Sequence, residues 1–175
     1  MPFAYYNRLT QRARRIYRQS EEITSLRLPA AGTLSPLVAD LERALATENC
    51  PAVQTCAQLL TLEMTRSLKV PGVSVRILTV RPAKHWGELH GLYNPPSPSQ
   101  PTRITLWMRT AQRKQVVRFR TFFRTLIHEL CHHLDYELLH LEDSFHTEGF
   151  YRRESSLVRQ LLPQNPGGIG SGHAG

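Results

Sequence analysis

FFRTLIHELCHHL, residues 122–134, is the segment on which the predicted architecture depends. Its apolar residues recur every three or four positions, which is the period of a helix with one buried face. The same period extends over residues 116–139, so we expect one long helix packed against the core. His128 and His132 stand four positions apart in this helix and therefore face one side from consecutive turns.

His128, Glu129 and His132 form the pattern HExxH. Two imidazoles at this spacing can bind one zinc ion, and the glutamate beside the first of them is placed to act on metal-bound water. Zinc lowers the pKa of that water, and the carboxylate takes a proton from the water as the water attacks a carbonyl group. We predict that His128 and His132 are zinc ligands and that Glu129 is the general base of a hydrolase. The leading hypothesis is a peptidase that acts on proteins or peptides.

A catalytic zinc site needs at least one more protein ligand and must keep one position open. His133 points about 100° away from His132 around the helix, and His140 lies about 12 Å further along it, so neither histidine fits. A metzincin would have Gly at position 135 and His at position 138. Asp135 and Leu138 occupy these positions here, which excludes that class.

The predicted third ligand is His146, which follows a turn at residues 141–145 and would be presented by a returning helix. Two alternatives stay open. Glu148 or Glu154 could be the third ligand, as in a small gluzincin. Alternatively, the metal could be purely structural, in a non-catalytic zinc-binding or nucleic-acid-binding module, and the site would then be closed by four ligands.

Several other side chains have candidate supporting roles. Asp135 could orient a ligand imidazole, and Thr125 could line the floor of the site. A donor to the oxyanion of the tetrahedral intermediate is also needed, and its candidates are Tyr136, Tyr151 and Arg152. The extended segment 87–93 is expected at a sheet edge, where a peptide could pair with its main chain close to Trp86 and His90.

The remaining pattern predicts an α+β fold in a single domain, residues 1–162, followed by a disordered Gly- and Pro-rich tail at residues 163–175. The fold would comprise N-terminal helices, a small three-stranded mixed sheet, the active-site helix and the returning helix, which together make a minimal zincin. The helices are predicted at residues 3–22, from the cap Ser35-Pro36, at 51–68, at 116–139 and at 146–162. The strands are predicted at residues 73–77, 87–93 and 104–108.

The net charge of +8 is unevenly distributed, because no acidic residue lies between Glu88 and Glu129. A basic band in that interval can hold nucleic acid, although a solvated helix face is the alternative. Its members are Arg103, Arg109, Arg113, Lys114, Arg118, Arg120 and Arg124. Arginines before Glu21 resemble a transit peptide, but the apolar spacing there favours an amphipathic helix.

Three cysteines, Cys50, Cys56 and Cys131, are too few and too scattered for a disulfide framework, and no CxxC pair is present. We therefore expect a reducing, cytoplasmic location. No apolar stretch reaches the roughly 18 residues that a membrane span requires, and we expect a monomer.

The HExxH motif at residues 128–132 is followed, after thirteen residues, by His146-Thr-Glu-Gly-Phe150. This arrangement resembles the SprT-like (Spartan-related) zinc metallopeptidase domain. Residues 91–93 and 104–106 are similar to the family's edge strand and to the strand before its active-site helix, so the resemblance covers about residues 70–160. It implies a zinc peptidase, and the eukaryotic members' action on proteins crosslinked to DNA implies DNA-associated substrates. The family usually has Gly directly after the third histidine, whereas this chain has Thr147.

Overall fold

Along the described part of the chain, three α-helices come first, five strands follow and two α-helices come last. The computed structural model describes residues 3–80, 83–84, 87–88, 91–111 and 113–162. The helices are α1 (Gln11–Glu22), α2 (Ser35–Ala46), α3 (Cys50–Ser67), α4 (Phe119–Glu137) and α5 (Glu148–Leu161), with 3-10 turns at Ala4–Arg8 and Ala31–Leu34. The strands are β1 (Ser74–Val80), β2 (Ala83–Lys84), β3 (Gly87–Glu88), β4 (Gly91–Asn94) and β5 (Arg103–Arg109).

The main sheet has three strands in the order β1-β5-β4. β5 is parallel to β1 and antiparallel to β4, and Leu106 faces Ile77 on one side and Gly91 on the other. The inner residues of β5 are all buried, as the continuous apolar run 104–108 predicts for a central strand. The predicted α+β fold with a small mixed sheet is therefore confirmed.

The predicted extended segment at residues 87–93 is confirmed only in part. β3 pairs antiparallel with β2 in a separate two-stranded sheet, whereas β4 lies at the edge of the main sheet, as predicted. The sequence of the segment does not show that its two ends pair with different strands. Trp86, His90 and the predicted tail at 163–175 lie outside the described residues.

Several helix boundaries differ from the prediction because local contacts take over. The first helix is interrupted at Leu9, and α1 starts after Thr10, whose hydroxyl accepts the Ala13 N–H over 3.2 Å. Ser35 is already helical and is not the cap of α2. α4 starts at Phe119 because Val117 N–H donates to Met108 O at the end of β5.

The N-terminal layer, defined as residues 3–23, packs on α5 and on the loop at residues 138–147. Four of its arginines have partners inside the molecule: Arg12 and Arg15 pair with Glu142, while Arg14 and Arg18 lie over the Tyr6 ring. These contacts match the predicted amphipathic helix. Within the described ranges, every helix is too short or too polar to cross a membrane.

Candidate metal centre and cleft

Helix α4 presents His128 and His132 on one side, and a broad face of the same helix packs in the core. Its buried apolar residues are Phe122, Phe123, Leu126, Ile127, Leu130, Cys131 and Leu134. The two imidazole rings lie one turn apart with their centroids separated by 5.1 Å. The helical period therefore converts a four-residue spacing into two rings that face the same cleft.

His146 approaches the same point from the segment between α4 and α5. Its Nε2 atom lies 3.0 Å from His128 Nε2 and 3.1 Å from His132 Nε2. The residue precedes α5, because Thr147 is the N-cap and accepts the Phe150 N–H over 2.9 Å. His146 is thus carried by a loop, not by the returning helix that the sequence led us to expect. Tyr5 holds this loop by donating its hydroxyl to His146 O over 2.8 Å.

The hydrogen bonds of the Nδ1 atoms determine the protonation pattern of the two α4 histidines. His128 Nδ1 lies 2.9 Å from the carboxylate of Glu154, so it carries the proton and donates it. His132 Nδ1 lies 2.7 Å from the Ser144 hydroxyl, which uses its own proton on Asp135 Oδ2 at 2.8 Å. His132 Nδ1 must therefore be the donor. Both Nε2 atoms are left with lone pairs that face His146.

The donor set fits a metal ion. Three tetrahedral ligands at the usual zinc–nitrogen distance of about 2.0–2.1 Å stand roughly 3.3 Å apart, close to the separations seen here. Imidazole lone pairs directed at one another are unfavourable unless a cation lies between them. Of the residues that the structure describes, these three histidines are the group that brings three potential ligand atoms within 4.8 Å of one another.

His132 and His146 are kept in the neutral form that binds metal. Burial, together with the neighbouring His146 and His128, lowers the pKa of His132 to about 3. Burial and His128 also lower the pKa of His146. Behind the rings lies the fully buried Phe150, whose centroid is 4.7–5.2 Å from all three imidazoles.

His128 and His132 are each backed by an ion pair that joins α4 to α5. Behind His128, Glu154 is paired with Arg124. Behind His132, Asp135 receives the Arg153 guanidinium over 2.8 Å, and both side chains of this pair are fully buried. Asp135 reaches His132 through the Ser144 hydroxyl, so the predicted orienting role would act through that hydroxyl and not by direct contact with the imidazole.

Glu129 lies beside the three histidines and against β4. Its side chain is 6% exposed and accepts the backbone N–H of Tyr93. The approach to β4 is so close that a Cβ on Gly91 would stand 2.6 Å from Glu129 Oε1. Burial raises the pKa of the Glu129 carboxyl to about 7, whereas His128 and the Tyr93 N–H act in the opposite direction.

These side chains line a cavity of about 890 Å³ between α4, α5 and the edge strand β4. Thr125 lines it, as predicted, and so do Tyr136 and Tyr151. The Tyr136 hydroxyl donates to Asp143 over 3.3 Å. Tyr151 stacks on His146 with centroids 5.8 Å apart, and its hydroxyl has no hydrogen-bond partner within the described part of the chain. Arg152 is paired with Glu148 and does not line this cavity.

The other residues considered as third ligands are placed elsewhere or used otherwise. His133 is buried and lies 2.8 Å from Pro71 O through Nε2 and 3.2 Å from the Tyr93 hydroxyl through Nδ1. His140 is exposed and has a positive φ of 51° at the end of α4. Glu154 contacts the Nδ1 side of His128, away from the point where the Nε2 atoms meet.

Three residues of the site were missed in the sequence: Gly91, Ser144 and Arg153. Arg153 carried a usable signal, because it interrupts the apolar stripe Phe150, Leu157 and Leu161, where a buried charge demands a buried partner. Gly91 and Ser144 carried none, since their roles depend on contacts across the fold.

Comparison of the chain with family models, with curated proteins and with solved structures gives no match.

Proposed function

We propose that the protein is a zinc-dependent peptidase of the HExxH type, in keeping with its resemblance to SprT-like domains. The observation that carries the proposal is the convergence of three histidine Nε2 atoms at 3.0–3.1 Å, with the Glu129 carboxyl beside them in an open cleft. His128, His132 and His146 would hold the ion. When bound, zinc would supply Lewis acidity towards water and the scissile carbonyl.

The protein's own residues supply positioning and proton transfer. Glu129 would accept the proton of the attacking water and pass it to the leaving amine. Gly91, Leu92 and Tyr93 of the edge strand β4 line the cleft, so an extended substrate can pair with their main chain. Such pairing recognises the backbone and favours peptides as substrates.

The test is Glu129→Gln in the zinc-loaded full chain. Casein hydrolysis should fall by about 100- to 10,000-fold, because the amide cannot act as a base. Zinc content should stay at that of the unsubstituted protein, since Glu129 is not a ligand. Glu63→Gln, on the surface of α3, is the matched control and should keep full activity. An active Glu129→Gln protein, or one that loses its zinc, would refute the assigned role.

The alternative third ligands can be separated by metal content. His146→Ala should release zinc and Glu148→Ala should retain it. Glu154→Ala should weaken zinc binding only by about 10- to 100-fold, because its carboxylate supports His128 from the Nδ1 side and is not directed at the meeting point of the Nε2 atoms. Retention by His146→Ala with loss in a glutamate variant would favour the gluzincin arrangement. A zinc-loaded protein that cleaves neither casein nor histones would favour the non-catalytic module.

We further propose that the substrates are proteins associated with DNA. It is supported by exposed cations of the basic band around the start of α4, of which Arg120 and Arg124 line the cleft. Histone cleavage should increase when single-stranded DNA is added and lose that increase at high salt. Histone cleavage that does not change when DNA is added would indicate a peptidase without a preference for DNA-associated proteins.

We also propose a monomer in the cytoplasm as the working form. The three cysteines support a reducing compartment, since all of them are free thiols. Sedimentation of the zinc-loaded chain tests the oligomeric state.

A further inference from the structure

The cavity extends in two directions from the three histidines. One part lies beside the second half of α4 and is lined by Tyr93, Tyr136 and Ser144. The other part, here called the aliphatic arm, is lined by Thr121, Thr125, Val158 and Leu162. The metal centre therefore lies between two spaces and not at a closed end.

Helix geometry explains how the aliphatic arm is built. Thr125 and Thr121 lie about one and two turns before His128 on α4. Val158 follows Glu154 by four positions and continues the α5 row that begins beside His128, and Leu162 is the residue directly after α5. The two rows face each other across the arm.

The charged group at the inner end of the arm, the Glu154 carboxylate, has partners within the protein. The Thr125 hydroxyl is occupied, because it donates to Thr121 O over 2.9 Å. The Glu154 carboxylate is shared between His128 and Arg124. Val158 is half-buried and Leu162 is buried. An aliphatic side chain can therefore enter without leaving a charge unpaired.

We infer that the aliphatic arm is a specificity site that accepts a Leu, Ile, Val or Met side chain of the substrate residue adjacent to the scissile bond. The substrates would be extended polypeptide segments with such a residue at that position and with chain continuing on both sides of it. This inference rests on the proposed peptidase function. It goes further by naming the chemical class of substrate residue that the cleft selects.

The experiment is a cleavage-site profile of the zinc-loaded full chain on a mixed peptide library, read by mass spectrometry. Aliphatic residues should be preferred over Gly at one position flanking the cut by at least about 10-fold, since a single methylene in an apolar pocket is worth about 10- to 200-fold.

Two substitutions at the exposed Thr121 test the location of the site. Thr121→Phe fills the arm and should shift the preference to Ala and Gly. Thr121→Asp should shift it towards Lys and Arg, and an acid in the first turn of α4 also favours the helix. Thr55→Phe is the matched control, because Thr55 is likewise an exposed threonine on a helix and lies outside the cavity. It should leave the profile unchanged.

The outcomes separate the inference from the function on which it rests. Cleavage without preference at the flanking positions, or a profile that neither Thr121 variant alters, overturns the aliphatic site and leaves the peptidase intact. Absence of any cleavage by the zinc-loaded protein refutes the peptidase itself, and the inference with it.

Discussion

At the scale of single residues, Gly91 sets the position of the proposed base. An added Cβ would stand 2.6–2.9 Å from three atoms of the Glu129 side chain, which must then move. We expect Gly91→Ala to lower casein hydrolysis by about 100-fold, the effect of roughly 1 Å of misplacement. Zinc content should not change, because the ligands lie on the other side of Glu129.

The matched control for this prediction is Gly72→Ala, where the new Cβ would meet only Leu62 Cδ1 at an ordinary 3.7 Å. Full activity of Gly91→Ala would show that Glu129 tolerates displacement, and would argue against its role as the base.

Ser144 is the second residue whose effect belongs at this scale. Its hydroxyl connects His132 Nδ1 at 2.7 Å with Asp135 Oδ2 at 2.8 Å and thereby fixes which imidazole nitrogen is free. We expect Ser144→Ala to weaken zinc binding by about 10- to 100-fold, as loss of such outer partners does elsewhere. Competition with a chromophoric chelator measures the dissociation constant.

Ser144→Thr keeps the hydroxyl group and should restore most of the zinc affinity. Equal affinities in the alanine, threonine and unsubstituted proteins would mean that the ring of His132 is oriented by packing alone.

At the scale of elements, the junction of α5 with the end of α1 depends on Gly149. A Cβ there would meet Ser20 O at 2.3 Å and Glu21 O at 2.6 Å, and backbone carbonyls cannot move aside as a flexible side chain can. Gly149→Ala should therefore lower the free energy of unfolding by about 1–3 kcal/mol, despite the better helix propensity of alanine. Urea denaturation measures it, and an unchanged midpoint would contradict the close contact.

The elements also show where sequence reasoning succeeds. The apolar face of α4 and the central strand β5 follow from periodicity, because each buries a regular row of side chains. The histidine spacing within α4 is equally local. Segment 87–93 was predicted as one strand because its own sequence does not show which strands its two ends pair with. His146 was assigned correctly to the cluster but placed on a helix, since the Thr147 cap that ends the loop one residue later was overlooked.

At the scale of the whole molecule, Arg153 joins three helices. Its buried guanidinium donates to Ser20 O and Ile23 O at 2.6 Å on the α1 side and to Asp135 on α4. Arg153→Met removes these donors and leaves a buried carboxylate unpaired. We expect the metal-free protein to lose about 3–5 kcal/mol of unfolding free energy in urea titrations.

The neighbouring Arg152 provides the comparison, because it pairs with Glu148 at the surface. Arg152→Met should cost less than about 1 kcal/mol. Similar losses in the two variants would mean that the buried pair contributes no more than an exposed one.

The bonds between the N-terminal layer and the loop that carries His146 have a consequence for the nascent chain. Arg12 and Glu142 lie 130 positions apart in the sequence, and Ser20 and Thr147 are separated by 127. α1 is translated well before residues 142–147, so these contacts cannot form until that later segment has emerged from the ribosome. Until then the growing chain lacks the assembled three-histidine cluster, and the proposed peptidase activity would be absent.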